Sequence, residues 1–318
     1  MALTCVMPFA FKGHQIVPKE QATVSLASHS LQYGSTCFAG IRGYVREGKV
    51  RIFRLRDHHE RLMNASKIMG FGFHISYEDF EQIIAQLIEA NRPESDFYIR
   101  PFLYSENEVI GVCYNGLTFD LGVYMIPLKS YYQSNKGLRL TISSWQKISD
   151  AAISTKAKAG GCYVNSSMAT TDARAAGYDE ALMMDHNQNI VEASVANLFI
   201  VYRGEVFTPP VGADVLEGIT MRTVIELLGS RGYKIRYEPI SRSMIYTCDE
   251  MFLTGTAAGV IFGESVDGRI IGDGKEGPIT AQTRQEFQSL IEMEHPKSKG
   301  WVSEFSISEV CHEACSYI

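Results

Sequence analysis

Residues 154–167 read STKAKAGGCYVNSS. Lys156 and Lys158 stand two apart, ahead of paired glycines, a tyrosine and an asparagine. Side chains at that spacing share a face of a strand and no face of a helix. Glycine backbone lets a ligand approach closely, so a lysine in front of Gly160-Gly161 is a candidate for chemistry. A lysine acts as a nucleophile or base where its surroundings lower its pKa from about 10.4, or where a carbonyl traps it as an imine. Taken alone, the stretch reads as two exposed charges before a turn.

Four further segments change that reading. NIVEASVANLFIV (189–201) puts Glu192 at a strand end, then small residues, then Asn197 and Phe199 opening the next strand. VLEGITMR (215–222) runs a Gly-Ile-Thr turn into a helix N-terminus, where free N–H groups and a hydroxyl suit an anion. LTGTAAGV (253–260) repeats that chemistry with Gly255, Thr256 and Ala257. RDHHERL (56–62) supplies Arg61, a fixed charge suited to phosphate. One amine, one carboxylate, two small-residue cradles and one arginine are the roles that pyridoxal phosphate needs.

The 318 residues suffice for one large domain or two ordinary ones, with 45% apolar and 21% charged residues. A net charge of −6 gives no electrostatic case for nucleic acid. No apolar run is long enough to span a bilayer, and MALTCVMPFAFKGH resembles neither a signal nor a transit peptide. Seven scattered cysteines suit reduced thiols in a cytoplasmic enzyme.

Strands and helices interleave in both halves without a regular βαβ rhythm, which predicts an α+β fold with two domains. AFKGHQIV reads as a hairpin turning at Lys12-Gly13, and GIRGYVREGKVRIFRL as two strands around Arg46-Glu47-Gly48. YEDFEQIIAQLIEANRP carries Phe80, Ile83, Ile84, Leu87 and Ile88 at helical spacing, with Pro93 closing it. FYIRPFLYS alternates and puts Tyr98, Arg100, Phe102 and Tyr104 on one face. Thr220 reads as the N-cap of a helix over TMRTVIELLGSRG. The polar KSYYQSNKGLR is the linker, so the expected division is 1–129, a linker over 130–137, and 138–318.

Several weaker patterns compete. Ser144 and Lys147 match the S-x-x-K spacing of Ser-Lys hydrolases. His58-His59-Glu60 reads as a surface cluster. CHEAC (311–315) carries Cys311 and Cys315, a soft-metal pair only in principle. A cofactor-free binding protein is disfavoured, because a buried lysine without a partner is costly.

With SHSLQYGSTCFAGIRGY, RLRDHHERL, FYIRP, AKAGGCYVNS, EASVANLF, LEGIT and LTGTAAGV in that order, the chain resembles the class IV pyridoxal-phosphate aminotransferases over about residues 8–303. Within them it is most similar to the branched-chain amino acid aminotransferases. The resemblance implies the two-domain fold type IV architecture of D-amino acid aminotransferase-like enzymes, with pyridoxal 5'-phosphate as cofactor. It implies transfer of an amino group between L-leucine, L-isoleucine or L-valine and 2-oxoglutarate.

By the same resemblance the Schiff-base lysine is Lys158 and Lys156 is incidental. Tyr163 matches the partner of the cofactor's 3-oxygen, and Glu192 the acid on the pyridine nitrogen. Arg61, Ile219, Thr220 and Thr256 match the phosphate cradle. Tyr98 with the amides of Thr256 and Ala257 matches the α-carboxylate site. Tyr33, Phe38, Arg100 and Tyr131 match pocket walls, the arginine serving glutamate's distal carboxylate. The resemblance also implies a homodimer, its pocket completed by a loop mapped to Ser105–Tyr114 of a second subunit. Alternatives of the same fold are a D-amino acid or amine transaminase and an aminodeoxychorismate lyase; YIRP favours the branched-chain group. Ala39, where the family has Glu, and Leu128, where relatives carry Trp, are expected to alter the pocket's edge and shape. Cys162 and Met221 also depart from the family's pattern.

Overall fold

The computed structural model describes residues 6–128, 132, 136–212 and 214–307. The first part of the chain supplies β1 (Phe9–Lys12), β2 (Gln15–Pro18), β3 (Cys37–Phe38), β4 (Ile41–Arg46), β5 (Lys49–Phe53), β6 (Phe97–Tyr104) and β7 (Asp120–Pro127). With them come α1 (His29–Tyr33), α2 (Leu55–Met69) and α3 (Tyr77–Asn91). The second part supplies β8 (Leu138–Gln146), β9 (Glu180–Met184), β10 (Ile190–Ala193), β11 (Asn197–Tyr202), β12 (Glu205–Thr208), β13 (Ile235–Tyr237), β14 (Glu250–Gly255), β15 (Gly259–Val266) and β16 (Arg269–Ile270). Its helices are α4 (Tyr163–Ala175), α5 (Ile219–Ser230), α6 (Arg242–Thr247), α7 (Pro278–Ile291) and α8 (Ser298–Trp301), and β17 (Val302–Ser306) ends the described chain.

Two sheets result, so the mixed α+β expectation holds. The first runs β17-β5-β4-β6-β7-β1-β2, with β3 paired to β6. The second runs β10-β9-β8-β15-β14-β11-β12-β13, and a further β10–β11 pairing closes six of its strands into a ring. Glu192 opposite Asn197 is the pair that closes it. Residues 302–306 return to the first sheet and pair with β5, a crossing that the sequence reading of 138–318 as one unit did not anticipate. Most of the expected linker, and with it Tyr131, lies outside the described residues, as do Cys311 and Cys315.

Local chemistry explains the elements. Ser76 caps α3 by accepting from Asp79 N at 3.1 Å, and Phe80, Ile83, Ile84, Leu87 and Ile88 are all buried in the first core. Burial of each such side chain is worth about 1.5–3 kcal/mol. The Glu47-Gly48 and Arg203-Gly204 turns take positive φ at both positions, the geometry that matches strand twist. The first hairpin turns at Gly13-His14, one residue later than expected, because Lys12 pairs with Gln15.

The cluster His58-His59 is not on the surface: both rings are buried. They fall on the same stripe of α2 as Leu55, Leu62 and Ala65, and His59 Nε2 bonds Ile75 O at 2.9 Å. No helix among the described residues is long and apolar enough to cross a membrane.

Candidate active site

The Lys158 loop lies where the two sheets meet. Phe38 N donates to Lys158 O at 3.2 Å and Gly160 N to Thr36 O at 2.8 Å, so β3 of the first sheet grips a loop of the second part. Lys158 itself has φ 49°, an uncommon backbone state for a residue with a Cβ. Two short 3-10 turns, Thr155–Ala157 and Gly160–Cys162, flank it and lead into α4. Lys158 Nζ then donates to the Tyr163 hydroxyl at 2.6 Å. Burial first, then Arg61 and Arg100, push this amine well below the ordinary lysine range, against the opposing pull of Glu192. Lys156 is exposed on the same turn.

A cavity of about 990 Å³ opens in front of Lys158. Phe38, Arg61, Tyr98, Arg100, Tyr163, Ile219, Thr220, Thr256 and Ala257 all line it. Glu192 is set back in an adjoining recess that shares Lys158, Tyr163 and Asn197 with the cavity. Its Oε2 accepts from Asn197 Nδ2 at 3.2 Å and from Leu216 N at 3.4 Å. Burial, then Glu192 and Tyr98, push the Tyr163 phenol up, so it stays protonated at neutral pH.

The chemistry of the far wall suits an anion. The Arg61 guanidinium makes no ion pair or hydrogen bond with a described residue, although it is desolvated beside Tyr163 and Tyr98. The Thr254 hydroxyl is buried with no partner and also lines the cavity. Gly218 stands at the N-cap of α5 and Thr220 is inside the helix, which corrects the expected cap. The first-turn amides of Ile219 and Thr220 have no intrahelical acceptor, and both residues line this wall. A Cβ at Gly218 would collide with Asn197 Oδ1, so only glycine lets α5 start this close to the Glu192 support. Arg42 Nη1 donates to Ala257 O at 3.0 Å and braces the second turn.

On the side wall, Arg100 lies over the Phe38 ring at 4.2 Å, and its Nη2 donates to the Tyr98 hydroxyl at 3.4 Å. Arg100 Nε is buried without a partner. Leu128 lines the cavity as expected. Ala39 does not: it is 1% exposed, within the first core, since Phe38 and Gly40 on either side take the cavity face. Tyr33 is not in the cavity either. It is 37% exposed, and its hydroxyl accepts from Gly111 N at 3.2 Å.

The competing Ser144-Lys147 pattern does not assemble. Ser144 is exposed on β8, and Lys147 Nζ is engaged by Glu192 Oε1 at 2.6 Å. Lys147, Asn197, Thr254, Arg42 and Gly40 belong to the site or its supports, yet the sequence reading gave four of them no role and gave Lys147 only the hydrolase one. Only Asn197, five residues after Glu192, carried a signal, through its strand-opening position.

This geometry, a desolvated amine between a phenol and a carboxylate and facing an anion cradle, has relatives. The family description amino-transferase class IV matches residues 36–266. The branched-chain-amino-acid aminotransferase of Escherichia coli (strain K12) is 35% identical, covering 92% of this chain and 96% of its own. Among solved structures, the branched-chain aminotransferase of Thermoproteus uzoniensis with norvaline has a TM-score of 0.90 at 35% identity, covering 94% of this chain and 99% of its own. The branched-chain amino acid aminotransferase of Thermobaculum terrenum, in its PLP-bound holo form, has a TM-score of 0.88 at 29% identity, covering 94% and 98%. The chain belongs to the class IV aminotransferases.

Proposed function

We propose that the protein is a branched-chain amino acid aminotransferase, moving an amino group between L-leucine, L-isoleucine or L-valine and 2-oxoglutarate with pyridoxal 5'-phosphate. The observation that carries this is the placement of Lys158 Nζ, 2.6 Å from Tyr163 and facing an arginine that lacks a carboxylate partner.

Bound there, the cofactor supplies an electron sink for negative charge at the substrate's Cα. The remaining tasks fall to the chain. Lys158 holds the cofactor through its amine and, when free, takes the proton from Cα; its desolvation favours the neutral amine that this step needs. Tyr163 donates a hydrogen bond to the 3-oxygen. Glu192 fixes a proton on the ring nitrogen. Arg61, the Ile219 amide, Thr220 and Thr256 hold the phosphate. Tyr98 with the Thr256 and Ala257 amides orients the α-carboxylate. Phe38, Phe102, Ile126 and Leu128 give the side chain an apolar wall, and Arg100 offers a charge to a distal carboxylate.

The working form is a homodimer on this reading. Leu26, Ile110 and Val112 are exposed, and Tyr33 is tied to the 105–114 loop rather than to its own cavity, which supports delivery of that loop to a partner's pocket. Buried free thiols at Cys37, Cys162 and Cys248 support a cytoplasmic location.

The test is the visible spectrum of the purified protein. A yellow band that bleaches with L-leucine and returns with 2-oxoglutarate is expected. A band answering only to a D-amino acid or an amine overturns the substrate, and a protein colourless after incubation with pyridoxal phosphate overturns the whole reading.

A further inference from the structure

Lys147 is left without a task by the scheme above. It follows β8 directly, and its backbone N–H donates to Met184 O at 2.7 Å, tying it to the end of β9. Its side chain is 11% exposed and that of Glu192 6%, with 2.6 Å between Nζ and Oε1. The other carboxylate oxygen takes only amides, from Asn197 and Leu216. Lys147, Glu192, Lys158 and Tyr163 line one recess. A buried ion pair adds little net stability, whereas deleting one partner strands the other's charge. The pair is therefore better explained by what it does to its surroundings than by its own energy.

We infer that Lys147 is a positioning residue, whose ammonium fixes the place of Glu192 and balances its charge, and so sets how much of that carboxylate's field reaches Lys158 and the ring nitrogen. This rests on the roles given above to Lys158 and Glu192. Lys158 is faced by Arg61 and His58 from α2, Tyr98 and Arg100 from β6, Tyr163 from α4, Glu192 from β10, and Lys147. Of these, Lys147 favours the neutral amine and Glu192 the charged one. Removing Lys147 deletes a positive charge and unmasks a negative one. Both changes make Lys158 keep its proton to higher pH. Removing Glu192 as well cancels the second change.

The experiment labels cofactor-free, full-length protein with trinitrobenzenesulfonate across a pH series and quantifies the Lys158 peptide by mass spectrometry. In Lys147→Met the midpoint of the Lys158 profile is expected to move up by about one pH unit or more, the size a full charge nearby gives. Lys147→Arg should stay near wild type, and K147M/E192Q should fall between. Lys147→Gln serves in the same way should K147M not fold. A K147M or K147Q profile that superimposes on wild type, in protein with a normal melting transition, overturns the inference. Borohydride reduction of the wild-type holoenzyme separates the two layers: cofactor mass on a peptide other than that of Lys158 sinks the site assignment itself, whatever Lys147 does.

Discussion

Lys158 Nζ meets the Tyr163 hydroxyl at 2.6 Å from a backbone held left-handed, at φ 49°. Such a state costs roughly 1–2 kcal/mol for a residue with a Cβ, and Phe38 N and Thr36 O, in and just before β3, hold the loop against it through Lys158 O and Gly160 N. The amine is also desolvated near Arg61 and Arg100. Lys158→Met keeps the bulk and removes the amine. It is expected to abolish turnover and the yellow band, while the cofactor-free protein melts at a higher temperature than wild type. A lower Tm would show that the amine is not under that stress.

Tyr163→Phe keeps the ring, which packs on Phe38 at 4.8 Å between centroids, and deletes the hydroxyl. A hydrogen bond to a charged or developing-charge group is worth about 1.5–3 kcal/mol, so kcat should fall roughly ten- to hundredfold. Thermal stability should change little. An unaltered kcat would remove the phenol from the reaction.

Gly218→Ala tests the support of Glu192 from a distance. The new Cβ collides with Asn197 Oδ1, and Asn197 Nδ2 is the donor to both Glu192 and Leu216 O. Displacing it should weaken cofactor binding at least about tenfold, the effect expected when a supporting partner is lost. Equilibrium titration with pyridoxal phosphate measures this. Unchanged affinity would mean that Asn197 does not hold the acid.

The parts of the site that could be read from the sequence are those whose chemistry is local. Lysine before two glycines, and glycine before a helix, announce themselves by backbone needs. The face of β6 was legible because alternation alone puts Tyr98, Arg100 and Phe102 on one side. What was missed depends on long-range closure. Lys147 reaches Glu192 from 45 residues away only because β10 pairs with β9 and β9 with β8. His58 looked polar and exposed; the stripe it occupies on α2 buries it. The C-terminal β17 has no periodic signal over five residues and exists because β5 offers an edge.

His58 gives the protein an acid-sensitive element. Burial, Arg61 and Lys158 push its imidazole well below the ordinary value of 6.5, so it stays neutral in the fold while the unfolded chain takes up a proton. Between the folded pKa and 6.5 the unfolded state binds more protons, so stability falls as pH drops, by up to about 1.4 kcal/mol per pH unit. His58→Gln should flatten that slope in denaturant titrations between pH 6.5 and 5. A slope that persists unchanged would assign the acid sensitivity to other groups.

On the proposed function, Arg100 is the residue expected to separate the two substrates. Its guanidinium carbon lies over the Phe38 ring, 4.2 Å from the centroid, and Nε is buried without an acceptor. A buried donor lacking a partner costs about 1–3 kcal/mol, a cost relieved when a distal carboxylate enters but not when a branched apolar chain does. Arg100→Met replaces the charge with an unbranched apolar chain. The KM for 2-oxoglutarate should rise roughly tenfold or more while that for L-leucine changes by no more than about threefold, a difference of over 0.6 kcal/mol between the two substrates. Equal losses for both would mean that Arg100 acts through Tyr98, to which its Nη2 donates at 3.4 Å, and that the distal carboxylate is bound elsewhere.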